Sequence, residues 1–127
     1  MPTTHSGFMI QSNRASGDFE LVVADRVNAR LAHCRRNNEA PELSWVGPQY
    51  FGGIVDGLSL IQSNFGSPRL GNLELIANES GRLAHYWCDD HPPYTWHGPF
   101  YFADAPVSGN PALIQARFGE SGDTSNW

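Results

Sequence analysis

Hydrophobic residues in this chain come in short runs that polar, turn-forming residues separate. In Phe19–Val23 and Leu73–Ile76 apolar residues alternate with polar ones and include β-branched side chains, which predicts half-buried β-strands. In the run that ends at Trp87, the same alternation places Leu83, His85 and Trp87 on one face. Gly-Asp, Gly-Asn and Glu-Ser-Gly segments between the runs are turn material, and helical spacing is not sustained. The pattern predicts an all-β fold.

The strand-like runs belong to an internal repeat. Four landmarks occur twice in the same order: FMIQSN (8–13) and SLIQSN (59–64), GDFELVV (17–23) and GNLELIA (71–77), RLAH (30–33 and 82–85), and WVGPQYF (45–51) and WHGPFYF (96–102). The second copy of each landmark follows the first by 51, 54, 52 and 51 residues, respectively. One order at nearly one spacing predicts two copies of a supersecondary unit, with length changes confined to loops.

Each copy holds four strand candidates in about 52 residues, which is typical of a β-propeller blade. We therefore expect two four-stranded blades, at residues 8–57 and 58–110. Residues 111–127 begin a third copy, because ALIQAR (112–117) matches SLIQSN. This ninth strand would either complete a blade elsewhere in an assembly or compete with Phe8–Asn13.

Two blades leave two blade faces uncovered, and repeat units of this kind need about three copies to bury a continuous core. We therefore expect the chain to associate with itself or to be a piece of a longer protein. A head-to-tail contact that closes by rotation forms a ring. Two blades per chain then predict a six-bladed homotrimer or an eight-bladed homotetramer.

The composition supports strands and turns, and it narrows the possible partners. The 127 residues include 13 Gly and 9 Pro, and only 17% are charged, which suits short strands joined by turns. The net charge of −5 offers no basic surface to a phosphate backbone, so we expect no nucleic-acid partner. No apolar stretch is long enough to cross a bilayer, and we expect no membrane insertion.

The two cysteines do not predict a disulfide. Cys34 aligns with Tyr86 and Cys88 with Arg36, whereas a disulfide built into the repeat would recur in register. We expect two free, partly buried thiols in a reducing compartment. The first residues lack a basic patch followed by an apolar run, so we expect a cytoplasmic protein, or one released without a classical signal peptide.

With the repeats aligned, the chain resembles lectin-type β-propeller repeats, tectonin-like or tachylectin-like in the broad sense. The segments that carry the resemblance are Ser59–Gly66, Gly71–Ile76, Leu83–Trp87 and Trp96–Pro99. The resemblance implies a propeller fold and a carbohydrate ligand, and some short relatives in this group form rings from two-blade chains. The first blade departs from the pattern, since Cys34 and Arg35 stand where the second blade has Tyr86 and Trp87.

Candidate chemistry concentrates in the second blade, between Trp87 and His97. This stretch combines aromatic rings, which stack on the apolar side of a pyranose, with carboxylates and imidazoles that bind hydroxyl groups. The predicted ligand-binding residues are Trp87, Asp89, Tyr94, Trp96, His85, Gln62 and Arg82. Because the first blade differs here, we expect the two blade junctions to bind a ligand unequally.

Residues that recur in both copies also have structural interpretations. The recurring pairs are Trp45 and Trp96, His33 and His85, Glu20 and Glu74, Arg30 and Arg82, and Gln11 and Gln62. The tryptophans would pack before a turn, and the histidines would bond a backbone carbonyl, an Asn or a Glu. Each glutamate would pair with the arginine of its own copy, and the glutamines would bond between strands or blades.

Catalysis has little support in the sequence. It contains no G-x-S-x-G, phosphate-binding glycine loop or H-E-x-x-H motif, and the adjacent carboxylates of Asp89 and Asp90 point apart on an extended chain. Together with His91 and His97 they match no established zinc motif, so we expect no enzyme, cofactor or metal. The leading interpretation is a multivalent carbohydrate-binding propeller assembly. The alternative is a structural or protein-interaction assembly with no sugar site.

Overall fold

The computed structural model describes residues 7–15, 17–64, 71–103 and 106–114, which form eight β-strands and no helix that could span a membrane. The strands are β1 (Gly7–Gln11), β2 (Phe19–Asp25), β3 (Arg30–Arg36), β4 (Trp45–Phe51), β5 (Gly57–Gln62), β6 (Leu73–Glu79), β7 (Arg82–Cys88) and β8 (Trp96–Tyr101). They pair into two antiparallel four-stranded sheets, ordered β1-β2-β3-β4 and β5-β6-β7-β8. The predicted all-β fold with two four-stranded sheets is confirmed, and closure into a ring stays a prediction.

A tight turn sets the register in the middle of the second sheet. Glu79 pairs with Arg82 across a two-residue turn in which Ser80 and Gly81 have φ angles of 54° and 88°. Positive φ at both central residues is the geometry of a type I′ turn, whose twist matches that of the flanking strands. The Glu-Ser-Gly segment thereby decides which residues of β6 and β7 lie opposite each other.

The recurring Trp-x-Gly-Pro landmark lies at a β-bulge at the start of β4 and of β8, the last strand of each sheet. The β3–β4 pairing shifts register after His33, and the β7–β8 pairing shifts after His85. Gly47 and Gly98 have φ angles of 115° and 126° there. A Cβ on them would lie 2.8 Å and 2.7 Å from the carbonyl oxygens of His33 and His85, respectively. Glycine therefore recurs because the bulge leaves no room for a side chain.

The two sheets pack against each other through one face of each, and we call this buried interface the junction. β1 and β5, the first strands of the two sheets, contact each other. The apolar residues buried in and around the junction are Val22, Leu31, Phe51, Val55, Leu58, Leu60, Leu73, Leu75, Ala77, Ala84, Tyr86 and Cys88. Removing this apolar surface from water is what holds the two sheets together.

The other face of each sheet points away from the junction and carries exposed aromatic residues. The face of the first sheet, which we call the outer face, carries Trp45 and Tyr50. The face of the second sheet, which we call the open face, carries His85 and Phe100. Phe102, which follows β8, borders the open face. Both faces are thus chemically suited to further packing.

The start of the third copy lies beside the second sheet. Residues 112–114 form no strand, and the backbone N–H of Leu113 donates to the Ser59 hydroxyl of β5 at 3.0 Å. Residues 115–127 lie outside the described residues. The predicted ninth strand is therefore absent over 112–114, and its remainder stays a prediction.

Candidate functional site

A buried hydrogen-bond network crosses the junction at His33. Glu20 is 0% exposed and His33 is 6% exposed, and Glu20 Oε1 lies 2.7 Å from His33 Nε2. Trp96 of the second sheet donates its Nε1–H to His33 Nδ1 at 3.2 Å. Because Nδ1 accepts this bond, the proton of the neutral ring lies on Nε2, which donates to Glu20. The network fixes the imidazole tautomer and ties the two sheets together.

Trp96 packs within the junction through its flat side as well. Its ring stacks on Phe51 with centroids 4.1 Å apart and an interplanar angle of 2°. It also meets the ring of His33 nearly edge-on, at 5.5 Å. Trp96 was predicted as a ligand-binding residue, and the structure places it in the packing role that the sequence left as the alternative.

The partners of the recurring glutamates differ from one of the expectations. Both histidines bond a glutamate, which is one of the three kinds of partner predicted for them, but the predicted Glu–Arg pairs are wrong. Glu20 is approached instead by Arg14, with Nη1 and Oε1 3.7 Å apart, whereas Arg82 lies over the ring of Tyr101, 3.7 Å from its centroid. The reason is strand alternation, which points Glu20 into the junction and Arg30 to the outer face.

The second histidine–glutamate pair lies on the open face. His85 Nε2 is 2.7 Å from Glu74 Oε1, and Ser63 donates to Glu74 Oε2 at 3.3 Å. His85 is 35% exposed and Glu74 is 15% exposed. A groove of about 290 Å³ runs beside them, lined by Ile61, Ser63, Glu74, Ile76, His85, Leu113 and Ile114. Equivalent histidine–glutamate pairs therefore lie in the junction in the first sheet and along an open groove in the second.

Three rings on the open face form what we call the aromatic cluster, Trp87, His97 and Phe100. Trp87 stacks on His97 with centroids 5.1 Å apart and on Phe100 with centroids 4.9 Å apart. His97 Nε2 lies 3.0 Å from Asp89 Oδ1, and Phe100 is exposed. The cluster therefore combines an exposed aromatic surface with a carboxylate whose position is held by a hydrogen bond.

A smaller groove of about 150 Å³ runs along the edge of the junction, lined by Arg14, His33, Arg35, Val46, Gly47, Gln49, Pro93 and Tyr94. The guanidinium carbons of Arg14 and Arg35 lie 4.4 Å and 5.6 Å from the centroid of the Tyr94 ring. Arg14 is buried and donates from Nη2 to the carbonyl of Asp89 at 2.9 Å. Its Nε and Nη1 have no hydrogen-bond partner among the described residues. We call this the junction groove.

The junction groove and the aromatic cluster occupy equivalent places in the two copies of the repeat. Three groove residues of the first sheet have an aromatic counterpart in the second: Arg35 matches Trp87, Val46 matches His97, and Gln49 matches Phe100. The aromatic cluster on the open face of the second sheet is therefore the counterpart of a groove that lies at the edge of the junction in the first sheet.

The predicted site residues separate into distinct places. Trp87, Asp89 and His85 lie on or beside the open face, and Tyr94 lies in the junction groove. Gln62 bonds the first copy, since Oε1 accepts from the Asn13 N–H and Nε2 donates to Asn13 Oδ1, both at 2.8 Å.

The sequence reasoning missed several residues of these surfaces. Phe100 was not predicted as a ligand-binding residue, and neither were Arg14 and Arg35 of the junction groove. His97 ended the stretch predicted to bind a ligand but was not among the named binding residues. The β7–β8 pairing, displaced by the bulge, is what brings His97 and Phe100 to Trp87. The sequence WHGPF of the second copy could have identified them, because WVGPQ of the first copy lacks both the His97 ring and the Phe100 ring.

Both cysteines are free, as predicted; Cys88 is buried and Cys34 is partly buried. Burial raises the pKa of the Cys34 thiol, and burial raises the pKa of Cys88 to about 11. Both thiols are therefore protonated at neutral pH. Across the described residues, no three His, Cys, Asp or Glu side chains come together as a metal-binding group.

Comparisons of the chain with protein-family models, with curated proteins and with solved structures give no match. The candidate site is therefore defined by its own geometry.

Proposed function

We propose that this protein is a carbohydrate-binding module, in which the aromatic cluster and Asp89 form the binding surface. The observation that carries the proposal is the stack of Trp87 on His97 and Phe100 beside a carboxylate, on a sheet face that lies away from the junction. The resemblance to lectin-type propeller repeats points to the same class of ligand.

The chemistry of the cluster suits a sugar ring. The apolar C–H side of a pyranose packs on an aromatic face, and Phe100 offers the exposed ring of the cluster. Asp89 accepts hydrogen bonds from sugar hydroxyls with the carboxylate oxygen that His97 does not engage, and a charged acceptor makes these bonds strong. A few oriented polar groups around an apolar surface are what fix such a ligand.

A single surface of this kind binds weakly, and several identical surfaces in one assembly bind with higher avidity because the later contacts are intramolecular. The proposed active form is therefore an association of identical two-sheet chains. The equivalent surface of the first sheet has Arg35, Val46 and Gln49 and lacks stacked rings. We accordingly expect the two surfaces of one chain to differ in their affinity for a glycan.

The experiment is a glycan array probed with the wild-type protein and with one variant in each sheet. Trp87→Ala removes the centre of the cluster, and Val46→Ala removes an exposed side chain at the first-sheet position that corresponds to His97. Molecular mass by light scattering and far-UV circular dichroism show that each variant keeps its assembly and fold. Loss of binding in Trp87→Ala alone supports the proposal. Binding that Trp87→Ala retains, or a wild-type protein that binds no glycan, contradicts it.

A structural or protein-interaction assembly without a sugar site is the second candidate. The observation that favours it is the exposure of Trp45 and Tyr50 on the outer face and of Phe100 and Phe102 at the open face, because exposed apolar patches mark interaction sites. Stable association together with no binding across a glycan array would establish this candidate in place of the first.

A further inference from the structure

The contacts across the junction are a template for a contact between two copies of the chain. On the first sheet, His33 and Phe51 receive the ring of Trp96 from the second sheet. The repeat gives each of these residues a counterpart: His85 for His33, Phe102 for Phe51, and Trp45 for Trp96. Among the described residues, no ring equivalent to Trp96 covers His85 and Phe102 on the second sheet, and no ring equivalent to Phe51 receives Trp45 of the first sheet.

We propose that the open face of one chain docks the outer face of a second copy of the same chain. Trp45 of the second copy stacks on Phe102 and donates its Nε1–H to Nδ1 of His85. The contact is head-to-tail, because each chain uses its second sheet to receive and its first sheet to insert. The inference rests on the self-association that the proposed function requires.

Exposure supports this pairing of surfaces. Trp45 is 47% exposed and Phe102 is 56% exposed, whereas Phe51, which has its Trp partner, is 7% exposed. Within the part of the chain that the structure describes, Trp45 and Phe102 have no stacking partner equivalent to the one that Trp96 and Phe51 give each other. The second copy supplies that partner for both residues at once.

The hydrogen bond of His85 to Glu74 leaves its Nδ1 as the acceptor for the N–H of Trp45. His85 Nε2 is 2.7 Å from Glu74 Oε1, the same distance as in the His33–Glu20 pair. A neutral imidazole that donates from Nε2 to the carboxylate presents Nδ1 as an acceptor. In the junction, Trp96 donates to that nitrogen of His33, so the acceptor on the open face has the chemistry that Trp45 requires.

Two residue differences between the repeats make the contact between two chains smaller than the junction. Tyr86, which packs edge-on against Phe51 in the junction, has Cys34 as its counterpart on the outer face, and the buried Cys88 has Arg36. The docked surface thus contains one aromatic ring fewer and one additional charge. We expect reversible association that depends on concentration rather than a permanent interface.

Residues 112–114 border this contact on the side of β5. Leu113 bonds Ser59 of β5, and Leu113 holds in the third copy the place that Leu60 of β5 holds in the second. The proposed contact therefore centres on the outer strand β4 of the second copy, which carries Trp45, against β7 and the end of β8. Towards β5, the second copy's β1 competes with residues 112–114 for one position.

The test uses two variants that each disable one face. Trp45→Ala leaves the open face intact, and Phe102→Ala leaves the outer face intact. Both residues are exposed, so both variants are expected to fold, which far-UV circular dichroism checks. Val27→Ala, at an exposed turn residue away from both faces, is the control. Sedimentation velocity over a range of concentrations gives the mass and the dissociation constant of each protein.

We expect the wild type and the control to associate, and each face variant to weaken association by roughly thirtyfold or more, as truncation of a buried aromatic anchor does. A mixture of the two face variants should form a complex of two chains and no larger species, because one productive pair of faces remains. Trp45→Phe, which keeps an aromatic ring but loses the indole N–H, should give an intermediate dissociation constant.

Three results would overturn the inference: a wild type that stays monomeric at all concentrations, a Trp45→Ala variant with wild-type association, or a mixture that forms no complex. A glycan array run on the same samples separates this inference from the proposed function. Association without glycan binding contradicts only the sugar site, and glycan binding by a monomer contradicts only the docking contact.

Discussion

The two tryptophans of the repeat should contribute very differently to stability, although they occupy the same sequence position. Replacing Trp96 by Ala leaves Nδ1 of the buried His33 without its donor, which costs about 1–3 kcal/mol. It also removes the stack on Phe51, worth about 0.5–1.5 kcal/mol beyond the area buried. We expect Trp96→Ala to lower the free energy of unfolding by about 3 kcal/mol, at the low end for Trp→Ala in a core because the ring is only partly buried.

Trp45→Ala is the matched control, because Trp45 starts β4 as Trp96 starts β8 but lies on the outer face. In a monomer it should change the free energy of unfolding by no more than about 0.5 kcal/mol, as surface substitutions do. Urea unfolding followed by far-UV circular dichroism, at a concentration where the protein is monomeric, measures both values. Equal losses in the two variants would refute the assignment of Trp96 to the junction.

Three further outcomes can be measured on the same protein. The Cys88 pKa rises from 9.0 to about 11 on folding, so the thiol ionises at a lower pH in the unfolded chain than in the folded one. The free energy of unfolding should therefore fall as the pH rises between these values. Urea titrations at about pH 8 and pH 10 should show this fall in the wild type and less of it in Cys88→Ala. Gly98→Ala should destabilise by about 1–3 kcal/mol in thermal unfolding, because its φ is 126° and a Cβ would lie 2.7 Å from a carbonyl oxygen. A chain that ends at Pro111 should associate more tightly, as light scattering would show, because residues 112–114 no longer compete with β1 of a second copy. Weaker association would mean that the third copy of the repeat itself supplies a strand.

The repeat could be recognised in the sequence because both sheets use the same residues at the same turns and strand positions. The Gly of Trp-x-Gly-Pro recurs since the bulge beside His33 and His85 excludes a side chain in both sheets. The histidine–glutamate bonds were likewise predictable, because the two strands place these side chains on one face whatever lies above it. The Glu–Arg pairs failed for the same reason, since alternation separates those side chains onto opposite faces.

The site was less predictable than the fold, because its members come together through pairing between strands rather than along the chain. Trp87 was identified from its local context, but its contacts with His97 and Phe100 depend on the register of β7 against β8 after the bulge. The role of Arg14 in the junction groove depends on the packing of one sheet on the other, since it reaches Tyr94 of the second copy. No local pattern contains either relationship.

The amino-acid sequence by itself determined the strands, their number per copy and the repeat, because alternation and turn chemistry act over a few neighbouring residues. Only the tertiary structure decided which copy of each recurring residue is buried. Trp96 and Trp45 have the same local sequence, yet one closes the junction and the other faces outward. The reason is that burial depends on whether a second sheet lies against the face, and the described chain places that neighbour on one side of each sheet only.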